Sequence, residues 1–261
     1  MSDRVHASGY RERNHTADRT LAILGMFSDT QRSITAVEVS ERLGVARSTA
    51  YRYVQSLVRE EFLEESVGGG FRLGVRILEL ARLARRSYGL AEIALPVMRD
   101  LAARFQESVL LTRRIGTSIV CVHREDSVSP PRMSYERGSI LPANAGASAH
   151  VLFAWLPEPE LRALFDEHRF ARFTERTIVS LDKLLGRYER ARAAGYVISH
   201  GEVDAHLLGV AVPIFDGDGR VAAGLSMAMI EGRMQAPALP DMVAALRESA
   251  RSITSVANLS E

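Results

Sequence analysis

Residues 45–62 place side chains that suit contact with nucleic acid on one face of a predicted helix. At about 3.6 residues per turn, this face holds Arg47, Ser48, Tyr51, Arg52 and Gln55. Guanidinium groups can pair bidentately with guanine or phosphate, and hydroxyl and amide groups can bond to phosphates and base edges. The opposite face holds Ala50, Val54, Leu57 and Val58, which would pack on a core. The pattern predicts a helix that contacts DNA, with a purely structural helix bundle as the alternative.

Histidine and cysteine side chains raise the question of a metal site or an enzyme. Four histidines are candidates for a metal ligand or an effector contact: His123, His150, His200 and His206. None has the close spacing of ligands on one helix, so we predict no metal site and no cofactor. The single cysteine, Cys121, excludes an internal disulfide and lies in an apolar run where burial would keep it unreactive. Because no Gly-x-Ser-x-Gly motif occurs, we predict no enzyme; a hydrolase-like enzyme with an accessory winged helix is the alternative.

The elements around the basic helix predict how it is presented to DNA. Thr35 and Glu38 have the spacing of a capping box, which predicts a preceding helix that ends at Gly44. Residues 16–28 predict a further amphipathic helix, and two extended pieces around Gly68–Gly70 predict a β-hairpin. This order is that of a winged helix-turn-helix, whose second helix lies in the major groove. The candidate DNA-binding residues are Thr35, Arg47, Ser48, Thr49, Tyr51, Arg52, Gln55 and Arg72.

The second half of the chain mixes strand-like and helical segments. Strand-like runs cover residues 108–116, 117–126, 131–139, 209–216 and 220–230, with a hairpin turn at residues 216–219. Helical segments begin near Ala145 and cover residues 157–167, 180–194 and 239–257. The pattern predicts an α+β domain around a mainly antiparallel sheet.

Three segments of the chain together resemble one protein family. Residues 34–74, with LGVARSTAYRYVQSL and GGGFRLG, resemble the isocitrate lyase regulator (IclR) family of bacterial transcription regulators. Two further segments, RGSILPANAGASAHVLFAWL and ARAAGYVISHGEVDAHLLGVAVPIFD, are similar to motifs of the same family in the same order. The resemblance spans about residues 16–256. It implies a GAF-like effector-binding domain that takes a small organic acid or aromatic metabolite, and a homodimer or dimer of dimers on a double-stranded operator.

The resemblance also implies where the effector binds. Residues 144–148 open a predicted helix with small side chains, and unpaired N–H groups at a helix N-terminus favour a carboxylate. Tight packing of helix on sheet would explain the same small residues. The candidate effector-binding residues are Leu141, Asn144, Ala145, Gly146, Ala147, Ser148, Ser199, Glu202 and Gly209.

Several residues depart from the family pattern near this presumed pocket. His150 stands where the family has lysine, and Ser199 and His200 replace an acidic pair before Gly201–Glu202. Gly209 falls on a position that is often cysteine in the family. These changes remove a carboxylate and add histidines, so a standard keto-acid effector is not expected.

Length and composition fit two domains in one soluble chain. The 261 residues carry a formal net charge of only +1, so charge alone does not indicate a nucleic-acid binder. A winged helix used for protein assembly therefore stays an alternative. No apolar run approaches the roughly 20 residues that span a bilayer, and we expect a cytoplasmic protein. We expect a flexible tail at 1–15, the winged helix at 16–76, a linker helix at 77–92 and the effector domain at 93–261.

Overall fold

The computed structural model describes residues 15–28, 30–66, 68–87, 89–126, 135–165, 170–233 and 238–258. The chain divides into two compact units on either side of the boundary after Ser87. The predicted N-terminal tail lies outside the described residues except for His15, which begins the first helix. No helix within the described ranges has the length and apolar character needed to cross a membrane.

The first unit is a winged helix-turn-helix. Its elements in chain order are α1 (His15–Leu24), α2 (Ala36–Leu43), α3 (Arg47–Arg59), β1 (Leu63–Glu65), β2 (Phe71–Leu73) and α4 (Val75–Ser87). Strands β1 and β2 pair antiparallel, and Ile34 adds a bridge to Phe71. The buried core contains Ile23, Ile34, Val39, Ala50, Val54, Leu57, Leu63 and Phe71. The helix-turn-helix and its hairpin are thus held together by one apolar cluster.

Local sequence signals place the elements of this unit. The capping box is confirmed, because the Thr35 hydroxyl accepts from the Glu38 N–H at 3.2 Å and the Glu38 carboxylate accepts from the Thr35 N–H at 2.6 Å. Gly44 ends α2 in the left-handed conformation at φ 62°. At the hairpin, a Cβ on Gly70 would lie 2.8 Å from the Ile34 carbonyl oxygen, so the wing approaches the body too closely for any other residue.

The first helix is shorter than the sequence predicts. We expected a helix over residues 16–28, but α1 ends at Leu24. The N–H groups of Gly25 and Met26 bond to the Ala22 and Ile23 carbonyls three residues back, which closes the helix in a turn. Glycine inside a helix is unfavourable, and here it marks the end instead.

The second unit is a layered α+β domain. Its elements are α5 (Gly89–Phe105), β3 (Ser108–Ile115), β4 (Ser118–Glu125), β5 (Ile140–Leu141), α6 (Ala147–Phe153), α7 (Glu158–Leu164), α8 (Leu181–Ala194), β6 (Val197–His200), β7 (Leu207–Phe215), β8 (Val221–Ile230) and α9 (Ala238–Asn258). In the described part of the chain, six strands form one antiparallel sheet in the order β5-β4-β3-β8-β7-β6. The predicted α+β class and antiparallel sheet are confirmed; the GAF-like likeness stays a prediction.

Helices cover both faces of this sheet. Because side chains alternate along a strand, Val109 and Leu111 point to the face covered by α5 and α9, whereas Leu110 points to the face covered by α6 and α8. Cys121 is buried on the second face. The sheet therefore has a separate apolar core on each side.

One predicted strand is wrong in its described part. We expected a strand over residues 131–139, of which 131–134 lie outside the described residues. Residues 135–139 instead contain a turn in which the Ser139 N–H bonds to the Glu136 carbonyl and Gly138 has φ 90°. The edge strand follows as the short β5, which pairs with β4. Gly138 breaks the extended run because it adopts a conformation that strands do not use.

Candidate functional site

The exposed face of α3 carries the candidate DNA-contacting side chains. Arg47, Ser48, Tyr51 and Arg52 are exposed, and Thr49 and Gln55 are half-buried. Within the described ranges, the guanidinium groups of Arg47 and Arg52 have no ion-pair or hydrogen-bond partner. Ala46 caps the helix without a side-chain hydrogen bond, and no acidic residue lies in the first turn. The helix therefore presents free guanidinium groups and an uncapped positive N-terminal end, which suit phosphate and base contacts.

Two other candidate DNA contacts are engaged within the first unit. The Thr35 hydroxyl belongs to the capping box and also donates to Glu38 at 2.9 Å. On the hairpin, Arg72 Nε lies 2.9 Å from the Glu64 carboxylate directly across the strands. A surface ion pair of this kind contributes about 0–1 kcal/mol. Arg72 can therefore exchange Glu64 for a phosphate at small cost.

The second unit contains a cavity between α6 and strands β3, β6, β7 and β8. Its volume is about 60 Å³. It is lined by Leu110, Tyr135, Leu141, Pro142, Ala145, Gly146, Ala147, Ser148, Ser199, Glu202, Val203, Leu207, Leu208, Gly209 and Ala228. The structure thus brings together the candidate effector-binding residues with the exception of Asn144.

Asn144 is buried but turned away from the cavity. Its amide nitrogen donates to the carbonyl oxygens of Ala171 at 3.0 Å and Ile178 at 3.1 Å. These bonds tie the start of α6 to the segment that leads into α8. Asn144 therefore positions the cavity wall rather than facing its interior.

A buried polar network closes one end of the cavity. Glu202 Oε2 accepts from the Gly146 N–H at 3.0 Å and lies 2.7 Å from His150 Nε2, and Arg187 donates to Oε1. His150 Nδ1 lies 3.2 Å from the Tyr188 hydroxyl, and Arg187 also donates to the Ile198 carbonyl. The network joins α6, α8 and the loop after β6.

The protonation states of this network follow from burial and from the partners. Burial raises the pKa of Glu202, but the hydrogen bond from His150, the charge of Arg187 and the Gly146 N–H together hold that pKa below its usual range. Complete burial lowers the pKa of His150 and outweighs its hydrogen bond to Glu202. Hence Glu202 is ionised and His150 is neutral near neutral pH, with Nε2–H donating to Glu202 and Nδ1 accepting from Tyr188.

The N-terminus of α6, where the sequence predicts that a ligand carboxylate binds, already contacts one carboxylate of the chain. The Gly146 N–H already donates to a carboxylate of the chain itself, that of Glu202. In addition, α6 has only seven residues, so its dipole is short. One donor at this end of the helix is therefore taken by an internal carboxylate, and the binding of a ligand carboxylate here stays a prediction.

Sequence reasoning missed two members of the network, Arg187 and Tyr188. Tyr188 could have been found, because Leu181, Leu184, Tyr188 and Ala191 follow helical spacing and form the buried face of α8. A tyrosine on such a face needs a buried partner for its hydroxyl. Arg187 carries no comparable signal, since an arginine within a charged helix is ordinarily exposed.

The other histidines lie apart from the cavity network. His123 pairs with Glu125 at 2.9 Å, and the exposed His200 pairs with Glu231 at 2.9 Å. Among the described residues, no group of three or more histidine, cysteine or acidic side chains could hold a metal ion. Burial raises the pKa of the Cys121 thiol to about 11, which keeps it protonated and unreactive.

The buried His150 should make the second unit sensitive to mild acid. Since its pKa is lowered in the folded state, the unfolded chain binds an extra proton below about pH 6.5. The free energy of unfolding therefore decreases as the pH falls, by up to about 1.4 kcal/mol per pH unit. His150→Gln, which can still donate to Glu202, should flatten this loss between about pH 7 and about pH 5. Urea denaturation followed by circular dichroism measures the slope. His200→Gln is the matched control, and an unchanged slope in His150→Gln would contradict the assignment.

Comparison with known proteins assigns both units to one family. The family model for the IclR helix-turn-helix domain matches residues 16–66, and that for the bacterial transcriptional regulator IclR C-terminal domain matches residues 83–255. The HTH-type transcriptional regulator KdgR of Escherichia coli is 32% identical over 86% of this chain and 86% of its own length. KipR of Bacillus subtilis is 28% identical over 94% of this chain and 97% of its own length.

A solved structure supports the same assignment. An IclR homologue from Microbacterium hydrocarbonoxydans, in complex with 4-hydroxybenzoate, superposes with a TM-score of 0.75 at 26% identity, covering 92% of this chain and 98% of that one. KdgR and KipR, the relatives of this chain described above, are both named as transcriptional regulators. The chain is therefore a regulator rather than a hydrolase-like enzyme. Regulators of this kind join a DNA-binding helix-turn-helix to an effector-binding domain. The chain belongs to the IclR family of bacterial transcriptional regulators.

Proposed function

We propose that this regulator binds a double-stranded operator as a homodimer through α3 and the β1–β2 hairpin, and that a small molecule in the cavity of the second unit changes its operator affinity. The observation that carries the proposal is the exposed polar face of α3, whose arginines have no partner among the described residues. In a helix-turn-helix the second helix presents its N-terminal residues to base edges. Arg47, Ser48, Thr49, Tyr51, Arg52 and Gln55 are the proposed contacts on α3, and Arg72 is the proposed contact to the DNA backbone. Thr35 would contact the backbone only after its hydroxyl releases Glu38.

Salt dependence of binding tests the DNA contact. A protein that neutralises phosphates loses affinity steeply as salt rises, because counterions are released. We expect the regulator to prefer DNA next to its own gene over a shuffled duplex and to bind both more weakly at higher salt. Fluorescence anisotropy with labelled duplexes measures both effects. A winged helix used only for protein assembly would show neither preference nor salt dependence.

The homodimer is supported by apolar side chains that α4 exposes. Val75, Leu78, Leu80 and Leu83 are exposed, and Leu78 is 68% exposed. In a single chain these side chains are exposed to water. Contact with a second copy would bury them, and each Å² of apolar surface buried would stabilise the dimer by about 25 cal/mol. A twofold dimer also matches a pseudo-palindromic operator. Dimers could further pair into a dimer of dimers.

Leu78→Glu should weaken this dimer. The charge would be buried against the partner's apolar surface, so the dimer dissociation constant should rise at least about 10-fold, a cost of about 1.4 kcal/mol or more. Sedimentation velocity across a concentration series measures the change. Glu79→Gln, on the same exposed helix, is the matched control. Equal dimer stability in both variants would place the dimer interface elsewhere.

Effector action needs different ligand affinity in two arrangements of the protein. A ligand that binds both arrangements equally well cannot change operator affinity. We propose that the cavity is this ligand site, since it gathers the candidate residues of α6, β6 and β7. As a bacterial regulator of its own genome, the protein would act in the cytoplasm.

A further inference from the structure

We infer that the cavity binds a small uncharged molecule that carries a hydroxyl group on an apolar body. The inference rests on the proposed function, because it takes this cavity to be the effector site. It differs from the organic acid that the sequence led us to expect. Three features of the cavity carry it: an unpaired buried hydroxyl, an internal carboxylate, and an apolar wall.

The unpaired hydroxyl belongs to Ser199. This side chain lines the cavity and is only 4% exposed. In the described part of the chain, its hydroxyl has no hydrogen-bond partner. By contrast, the neighbouring Ser148 hydroxyl is bonded to that of Ser226 at 2.8 Å. Because buried hydroxyl groups are nearly always hydrogen-bonded, Ser199 points to a partner that the chain does not supply.

The second feature is the ionised carboxylate of Glu202, which disfavours a ligand carboxylate in the same cavity. Glu202 lines the cavity and is ionised, held by Gly146, His150 and Arg187. Of the described residues that line the cavity, none is lysine, arginine or histidine. A buried carboxylate without a cationic partner is strongly unfavourable, and here it would also face the charge of Glu202. The cavity therefore disfavours an anionic ligand.

A ligand hydroxyl complements these two groups. An ionised carboxylate only accepts hydrogen bonds, whereas a serine hydroxyl can donate or accept. Glu202 Oε1 takes one bond from Arg187, which leaves acceptor capacity toward the cavity. A ligand hydroxyl can therefore donate to Glu202 and accept from Ser199 at the same time. A carboxylate ligand could not donate to Glu202.

Apart from the side chains of Tyr135 and Ser148, the rest of the wall is apolar, and the space is small. Leu110, Leu141, Pro142, Leu207 and Leu208 line it, around a volume of about 60 Å³. A cavity of this size holds on the order of four water-sized groups. The body of the ligand is therefore compact and apolar, as in a short-chain alcohol, and a sugar acid does not fit.

Shape-matched pairs of alcohols and acids test the inference. Isothermal titration calorimetry of the full chain near neutral pH would compare 1-propanol with propionate and 1-butanol with butyrate. We expect each alcohol to bind more tightly than its matched acid. Tighter binding of the acids, or no binding of either alcohol at millimolar concentration, would overturn the inference.

Substitution of Ser199 tests where the hydroxyl binds. Ser199→Ala should raise the dissociation constant of the alcohol about 3- to 10-fold, the range for one neutral hydrogen bond. Ser108→Ala, a buried serine on β3 that bonds to Asp126, is the matched control and should leave that constant unchanged. Equal affinity in wild type and Ser199→Ala would overturn the assignment of the hydroxyl.

The proposed function and this inference fail in different ways. If an acid binds in the cavity and changes operator affinity, the proposed function stands and the ligand class is wrong. If an alcohol binds through Ser199 but operator affinity does not change, the ligand class stands and the effector role of the cavity is wrong. Operator affinity is measured by the same anisotropy assay with and without each compound.

Discussion

Glu202→Ala should destabilise the second unit by about 3–5 kcal/mol, the usual cost of removing one partner from a buried ion pair. The substitution leaves the Arg187 guanidinium without its carboxylate. It also leaves the Gly146 N–H and His150 Nε2 without their acceptor.

Urea denaturation of the full chain, followed by circular dichroism, measures this effect. The two units can unfold in separate steps, so the transition of the second unit is fitted by itself. Glu231→Ala is the matched control, because Glu231 is an exposed partner of His200 and Arg176, and such surface pairs contribute about 0–1 kcal/mol. A loss below about 1 kcal/mol in Glu202→Ala would show that the network does not stabilise the fold.

Arg52→Ala should weaken operator binding about 10- to 100-fold, since one good bidentate contact to a base contributes about 1–3 kcal/mol. Arg52 is exposed on α3 and its guanidinium has no partner among the described residues, so its loss should leave the fold intact. If Arg52 contacts phosphate instead of a base, the loss should be similar on specific and shuffled DNA, with a smaller salt slope. Fluorescence anisotropy on both duplexes distinguishes the two contacts.

Arg59→Ala is the matched control on the same helix. Arg59 is exposed in the last turn of α3, away from the N-terminal residues that enter the groove. We expect its substitution to change operator affinity less than threefold, within about 0.6 kcal/mol. Equal losses in Arg52→Ala and Arg59→Ala would contradict the orientation of α3 in the groove.

The winged helix could be predicted in detail because its signals are local. The capping box at Thr35 and Glu38, the left-handed Gly44 and the glycines of the hairpin each specify backbone geometry within a few residues. The alternation of apolar and polar residues on α3 then separates the core face from the exposed face. The predicted bounds of helices and strands were wrong where one glycine ends an apolar run, as Gly25 does after α1 and Gly138 does before β5.

The cavity could be predicted only in part. Resemblance to the family indicated its lining, and the structure gathers those residues around one volume. The contact between Arg187 and Glu202 could not be predicted, because Arg187 lies on α8 and reaches the carboxylate in the loop after β6 only through tertiary packing. Tyr188 of the same helix bonds to His150 instead. Periodicity identifies which face of a helix is buried, but it does not say which side chains meet across the interface.

The most direct test of the account measures operator affinity across a salt series. Anisotropy titrations would use the DNA next to the regulator's own gene and a shuffled duplex, between about 50 mM and about 200 mM salt. We predict tighter binding to the gene's own DNA at every salt concentration, and a logarithm of affinity that falls linearly with the logarithm of salt. Equal binding to both duplexes, or affinity that does not change with salt, would contradict the claim that α3 contacts an operator.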